Sequence, residues 1–208
     1  MSNLQIEGLK MRRWLAALSV SLVTALLSLV MTVGISGASP SSLSGELLGG
    51  SAMPTGWNVA HSSSRTDVGC LHALLQRKVL HPTGYAKIGY EERRTLQAFV
   101  EALATYANTG DAYKRIVALI DGCGRVDTHS GGKTTSIIAE RVPFAHYGNA
   151  SAAFSIRVVI QGITFRDDML VIRKGGVIMG IEEGGFPQVD VHQFETFVTQ
   201  ALARLSTR

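Results

Sequence analysis

Residues 152–183 read AAFSIRVVIQGITFRDDMLVIRKGGVIMGIEE. The β-branched runs 152–162, 167–175 and 176–183 are split by short turns. Gly175-Gly176, where the last two runs meet, is a tight hairpin signal. KTTSIIAERV at 133–142 is a further run of the same kind. Past residue 190 the period changes. Val191, Phe194, Phe197, Val198, Ala201, Leu202 and Leu205 make one apolar stripe. Asp190 and Gln193 form a pair resembling a capping box at its start. A meander of strands closed by a helix on one face predicts an α+β domain.

Upstream, YAKIGY at 85–90 alternates as a strand does. RTLQAFVEALATYA at 94–107 is ambiguous. Its Leu, Ala and Glu content favours helix, whereas apolar Leu96, Ala98, Val100, Ala102 and Ala104 at even positions fit a strand. TGDAYKRIVALIDGCG at 109–124 predicts a helix. Ala112, Ile116, Leu119, Ile120 and Cys123 lie close to one face, Thr109 can cap it and Gly122 can end it. TDVGCLHALLQRKVL at 66–80 predicts another, with Val68, Leu71, Leu74 and Leu75 at helical spacing and Thr66 or Asp67 as the cap. Pro82 and Gly84 stop it. The fold class is therefore α+β, an antiparallel sheet with a C-terminal amphipathic helix and one or two further helices packed on it.

The 208 residues suit one ordinary domain behind a leader. KMRRW precedes Trp14–Ala38, a stretch without charge. A basic cluster followed by an apolar segment is the pattern of an export signal. Residues 14–33 are also long enough to span a bilayer. Ser36 and Ala38 are small residues suited to cleavage between Ala38 and Ser39. Residues 1–38 are thus a cleaved signal peptide or a retained membrane anchor, 39–53 a flexible linker, and 54–208 an extracytoplasmic domain. The first cysteine is Cys70, so no lipidated cysteine follows the apolar segment. Lys10, Arg12 and Arg13 against Glu7 supply two of the chain's four net positive charges. No basic run remains elsewhere, which argues against nucleic acid as a partner. Cys70 and Cys123 are the only cysteines. In an exported domain they predict a disulfide, the alternative being two buried thiols.

Catalytic chemistry finds no constellation. His61, His72, His81, His129, His146 and His192 form no HExxH or Cys/His metal pattern. SGGKTTS at 130–136 lacks the upstream glycine of a phosphate loop and leads into a strand, so it reads as a hairpin turn. DGCGRV at 121–126 reads as a helix end. Asp167-Asp168 and Glu182-Glu183 read as solvated turn acids. Asn149-Ala150-Ser151 matches a glycosylation sequon by pattern only. A hydrolase would need His129 or His146 to meet Asp127 or Asp167 within hydrogen-bond reach. No cofactor or metal is implied.

Five stretches together carry a resemblance: PTGW at 54–57, DVGCLHALL at 67–75, LQAFVEALATYANTGDAYKRIVALIDGC at 96–123, YGNASAAFSIRV at 147–158 and DDMLVIRKGGVIMGI at 167–181. Over residues 52–206 the chain resembles the exported sensor-like domains of actinobacteria. These occur as lipoproteins and as the extracellular domain of the mycobacterial kinase PknH. The resemblance implies that 94–105 is a strand. It implies cysteines in similar places, and a concave face that binds an unknown small-molecule or envelope ligand. It brings no catalytic residue. This chain departs from the family in offering one cysteine pair and no lipidated cysteine. The function expected is a non-catalytic ligand-binding or sensor-like domain at the cell envelope. The alternatives are a membrane-anchored adaptor and a secreted hydrolase.

Overall fold

The computed structural model describes residues 41–60, 80–130, 133–186 and 188–205. Eight strands form one antiparallel sheet. They are β1 (Asn58–Val59), β2 (Gly84–Glu92), β3 (Gln97–Thr105), β4 (Arg125–Ser130), β5 (Lys133–Val142), β6 (Ala150–Ile160), β7 (Ile163–Lys174) and β8 (Val177–Gly185). Their order is β1-β2-β3-β8-β7-β6-β5-β4. Two helices follow the predicted positions, α1 (Thr109–Asp121) and α2 (Val191–Arg204). The chain runs as two meanders. After β3, α1 carries it to the far edge, and β4 to β8 return until β8 pairs with β3.

Tight turns set the register. Lys174 lies opposite Val177, leaving Gly175-Gly176 as the turn, with Gly175 at φ +57°. Ile160 lies opposite Ile163, and the turn between them is Gln161 at φ +52° and Gly162 at φ +81°. Glycine adopts that region freely, whereas glutamine does so at a cost.

Residues 97–105 are a strand bonded on both sides, to β2 and to β8. Helix propensity loses here because both faces are buried, Phe99 and Leu103 on one and Val100 on the other. One face carries Phe99, Leu103, Leu170, Ile172, Met179 and Ile181 beneath Phe194, Phe197, Val198 and Ala201 of α2. The other carries Phe154, Ile156, Val158, Met169, Val171 and Ile178 beneath Ala112, Val117 and Ile120 of α1. Each of these Val, Leu, Ile, Phe and Met side chains contributes about 1.5–3 kcal/mol on burial.

Several expectations are corrected. Residues 39–53 are not a flexible linker throughout. A helical turn at Ser41–Ser44 leads into Leu43, Leu47 and Leu48, all buried in the core under α2. The cap of α1 is Asn108, whose Oδ1 accepts from the Asp111 amide at 3.1 Å. Thr109 instead donates its hydroxyl to the Gly176 carbonyl at 3.2 Å. The expected transmembrane character has no counterpart among the described residues, where no helix is long and apolar enough to cross a membrane. Cys123, the one cysteine among the described residues, is disulfide-bonded rather than a free thiol. Cys70, residues 66–79 of the helix predicted over 66–80, the 14–33 segment and the Ala38–Ser39 junction lie outside the described residues.

Candidate functional site

The acids expected in solvated turns lie inside the sheet. Asp168 stands opposite Glu183, Met169 opposite Glu182, and Asp167 opposite Gly184. Because strand side chains alternate, Asp168 and Glu183 point to the α2 face and Asp167 and Glu182 to the other. Glu182 and Glu183 are fully buried and Asp167 is 1% exposed. The hairpin signal at Gly175-Gly176 already contained this register. Asp168 and Glu183 each lie seven residues from their own side of that turn. Reading acids as surface residues concealed it.

On the α2 face, Gln193 Nε2 donates to Glu183 Oε1 at 2.7 Å. The residue expected to close a capping box thus serves the buried acid. Asp190 Oδ1 alone takes the His192 and Gln193 amides, at 3.1 and 3.2 Å. Burial pushes the Glu183 carboxyl up to about 8. The Gln193 hydrogen bond opposes this, and the charges of Asp190 and Asp168 add to it. Asp168 is also raised, by burial, against a Ser155 hydrogen bond and the Arg166 charge.

On the opposite face the acids are less provided for. Among the described residues neither carboxyl oxygen of Glu182 has a hydrogen-bond partner, nor does Asp167 Oδ1. Burial, then the Asp167 charge, holds Glu182 well above the usual carboxylate range, and Lys87 opposes this. Burial, then Asp168, brings Asp167 to about 7. Burial also lowers the Lys87 ammonium to about 8, with Glu182 opposing. Two neighbouring carboxyls without solvent do not both ionise readily, so the pair retains a proton near neutral pH. Around them the cross-strand rows carry small residues. Gly89, Val100 and Glu182 form one row, Lys87, Ala102 and Gly180 the next, and Glu91, Ala98, Gly184 and Asp167 a third. Glu182, Asp167, Lys87 and Glu91 are therefore the long polar groups on a strip otherwise of glycine, alanine and valine, and Glu91 Oε1 accepts from Arg93 at 2.7 Å.

A further buried acid, Glu101, lies on the α2 face of β3. Its Oε2 accepts the Leu48 amide at 2.7 Å, and burial brings its carboxyl to about 7.

The hydrolase constellation is not assembled among the described residues. Asp127 and His129 are exposed on the edge strand β4. Asp127 pairs with Arg125 at 3.2 Å, and His129 Nδ1 meets Thr134 Oγ1 at 3.0 Å. His146 is exposed in the loop before β6, and Asp167 is buried two strands inside β5. Ser130 pairs with Lys133, so the glycine-rich stretch joins two strands, as the hairpin reading expects. Asn149 has a structural duty, since its Oδ1 accepts the Gly175 amide at 2.7 Å. Cys123 is buried beside α1. Among the described residues no group of three or more His, Cys, Asp or Glu side chains is placed to hold a metal ion.

The fold is shared with a solved protein. The extracellular domain of PknH from Mycobacterium tuberculosis superposes with a TM-score of 0.53 at 13% identity. The match covers 82% of this chain and 98% of that one. A putative uncharacterised protein from Mycobacterium smegmatis gives a TM-score of 0.43 at 13% identity, over 74% of this chain and 92% of that one. No family model matches the chain, and no curated protein matches it. The sequence resemblance to the PknH-type sensor-like domains therefore corresponds to a common fold.

Proposed function

We propose that this chain is an exported, non-catalytic ligand-binding or sensor-like domain of the cell envelope. The observation that carries the reading is the Glu182–Asp167 pair. Its three partnerless oxygens are buried on a strip of small residues. A buried polar group without a partner costs about 1–3 kcal/mol, and a donor that fits between them recovers that cost. The pair suits a small molecule presenting hydroxyl or amine donors. The fold shared with an extracellular domain supports the sensor-like part of the reading. The basic and apolar opening of the sequence supports export, with removal of residues 1–38 by cleavage between Ala38 and Ser39.

Two experiments test this. Intact-mass analysis from an actinobacterial host is expected to give a chain beginning at Ser39, and a full-length mass counts against cleavage. Native mass spectrometry of the same material is expected to show a bound small molecule. The adaptor reading has weaker support. The exposed large apolar side chains among the described residues are Val59, Phe186 and Val191. Val59 sits on edge strand β1, away from the other two near the start of α2. Scattered exposure of this kind is ordinary.

A further inference from the structure

We propose that Leu43–Leu48 is a releasable strap, seated on the sheet through Glu101, that leaves its groove as a unit while the sheet and α2 stay folded. The proposal is independent of the ligand reading above.

The strap is held by polar contacts from three separate elements. Glu101 of β3 takes the Leu48 amide at 2.7 Å. Tyr90 of β2 donates its hydroxyl to the Leu48 carbonyl at 2.8 Å. Arg204, in the last turn of α2, donates to the Gly45 carbonyl at 3.0 Å. Leu43, Leu47 and Leu48 fill the apolar side, 3%, 7% and 1% exposed. Side chains thus meet the backbone of this six-residue segment at its third and last residues, as a groove meets a bound peptide. No strand bonding ties the strap to the sheet, since β1 begins only at Asn58. Its attachment is therefore separable from the ladder that holds β2, β3 and β8 together.

Glu101 makes the attachment conditional. Its side chain is fully buried, and Oε1 has no hydrogen-bond partner. Burial raises its carboxyl to about 7. The Leu48 amide and Arg204 oppose this. The groups facing it are Tyr90 from β2 and Arg204 from α2, with Glu183 of β8 further along the same face; the strap's own acid is the buried Glu46. Release of the strap gives Glu101 back to water, which favours its charged form. The docked strap binds the extra proton, so docking is tightest below about 4.5 and weakens as pH rises through about 7. The strap joins whatever precedes it in the chain to the centre of the sheet, and it lets go toward alkaline pH.

The test is hydrogen exchange on the full chain, followed at the Leu47 and Leu48 amides and at Phe99, Leu103, Phe194 and Val198, between pH 5 and 8. After correction for intrinsic exchange, strap protection is expected to fall at least tenfold across that range and to stay below that of the sheet throughout. Glu101→Gln is expected to hold strap protection near its low-pH level at both ends, which separates Glu101 from Glu183. Should Glu101→Gln not fold, Tyr90→Phe is expected to lower strap protection several-fold at every pH without moving Phe99 or Leu103. The proposal is overturned if strap and sheet amides exchange together at all pH values. It is also overturned if the pH dependence survives in Glu101→Gln, or if Tyr90→Phe leaves the strap unchanged.

Discussion

Asp168 faces Glu183 directly across the β7–β8 ladder, and the next residue on each strand, Asp167 and Glu182, turns to the opposite side. Four carboxyls are thus distributed two to a face at one place in the sheet. Directly opposed side chains have Cβ atoms about 4.5–5.5 Å apart, close enough for like charges to destabilise one another. On the α2 face Gln193 offsets part of that cost. On the other face no described donor does so for Glu182. The asymmetry directs attention to Glu182 and Asp167.

The buried acids predict an inverted pH profile. Glu101 and Asp167 are raised to about 7 and Glu183 to about 8. Each binds its proton more tightly folded than unfolded, so its contribution is fully present below about 4.5 and is lost as pH rises to 7–8. Lys87, lowered to about 8, acts above that window. Differential scanning calorimetry is expected to give a higher Tm at pH 5 than at pH 8. A Tm that rises steadily from 5 to 8 would show that these carboxyls are ionised at little cost.

Glu183→Gln isolates one group. It keeps an oxygen for the Gln193 donor and removes the charge. Its carboxyl lies several units above its ordinary value, and each unit is worth about 1.4 kcal/mol. Urea denaturation at pH 8.5 is expected to find the variant more stable by about 1–3 kcal/mol. At pH 4.5 the difference is expected to vanish.

Gly148 is held by contact as well as by backbone. It sits at φ +62°, and a Cβ there would lie 2.5 Å from the Arg173 carbonyl oxygen and 2.9 Å from Ile172 Cγ2. Gly148→Ala is expected to cost about 1–3 kcal/mol in chemical denaturation. An unchanged midpoint would mean that the loop before β6 shifts freely.

Gln161 offers the reverse. Its φ of +52° is tolerated better by asparagine, and Asn-Gly is the preferred pair for a two-residue hairpin. Gln161→Asn is expected to stabilise by about 0.5 kcal/mol, read as a small rise in Tm. A fall would show that the glutamine side chain has a role the turn geometry does not reveal.

The periodicity of the C-terminal half made much of this fold legible. The apolar stripe of α2 and the Gly175-Gly176 turn follow directly from residue spacing. Residues 94–105 needed more, because Leu, Ala and Glu favour helix and only the burial of both faces between β2 and β8 makes them a strand. The strap was hidden by its composition. SLSGELLGG looks like a tether, and what orders it is a buried carboxyl 53 residues away in the sequence. The buried acids were hidden for a similar reason. Nothing local distinguishes a solvated Asp-Asp from one whose hairpin partner is Glu-Glu.

Native mass spectrometry of the chain purified from an actinobacterial host, beside Glu182→Leu and Asp167→Asn, tests the ligand-binding reading most directly. The account predicts a bound small molecule on the wild-type protein that is lost or strongly depleted in both variants while their folds persist by circular dichroism. A wild-type protein that carries nothing, or an adduct retained by both variants, would contradict it.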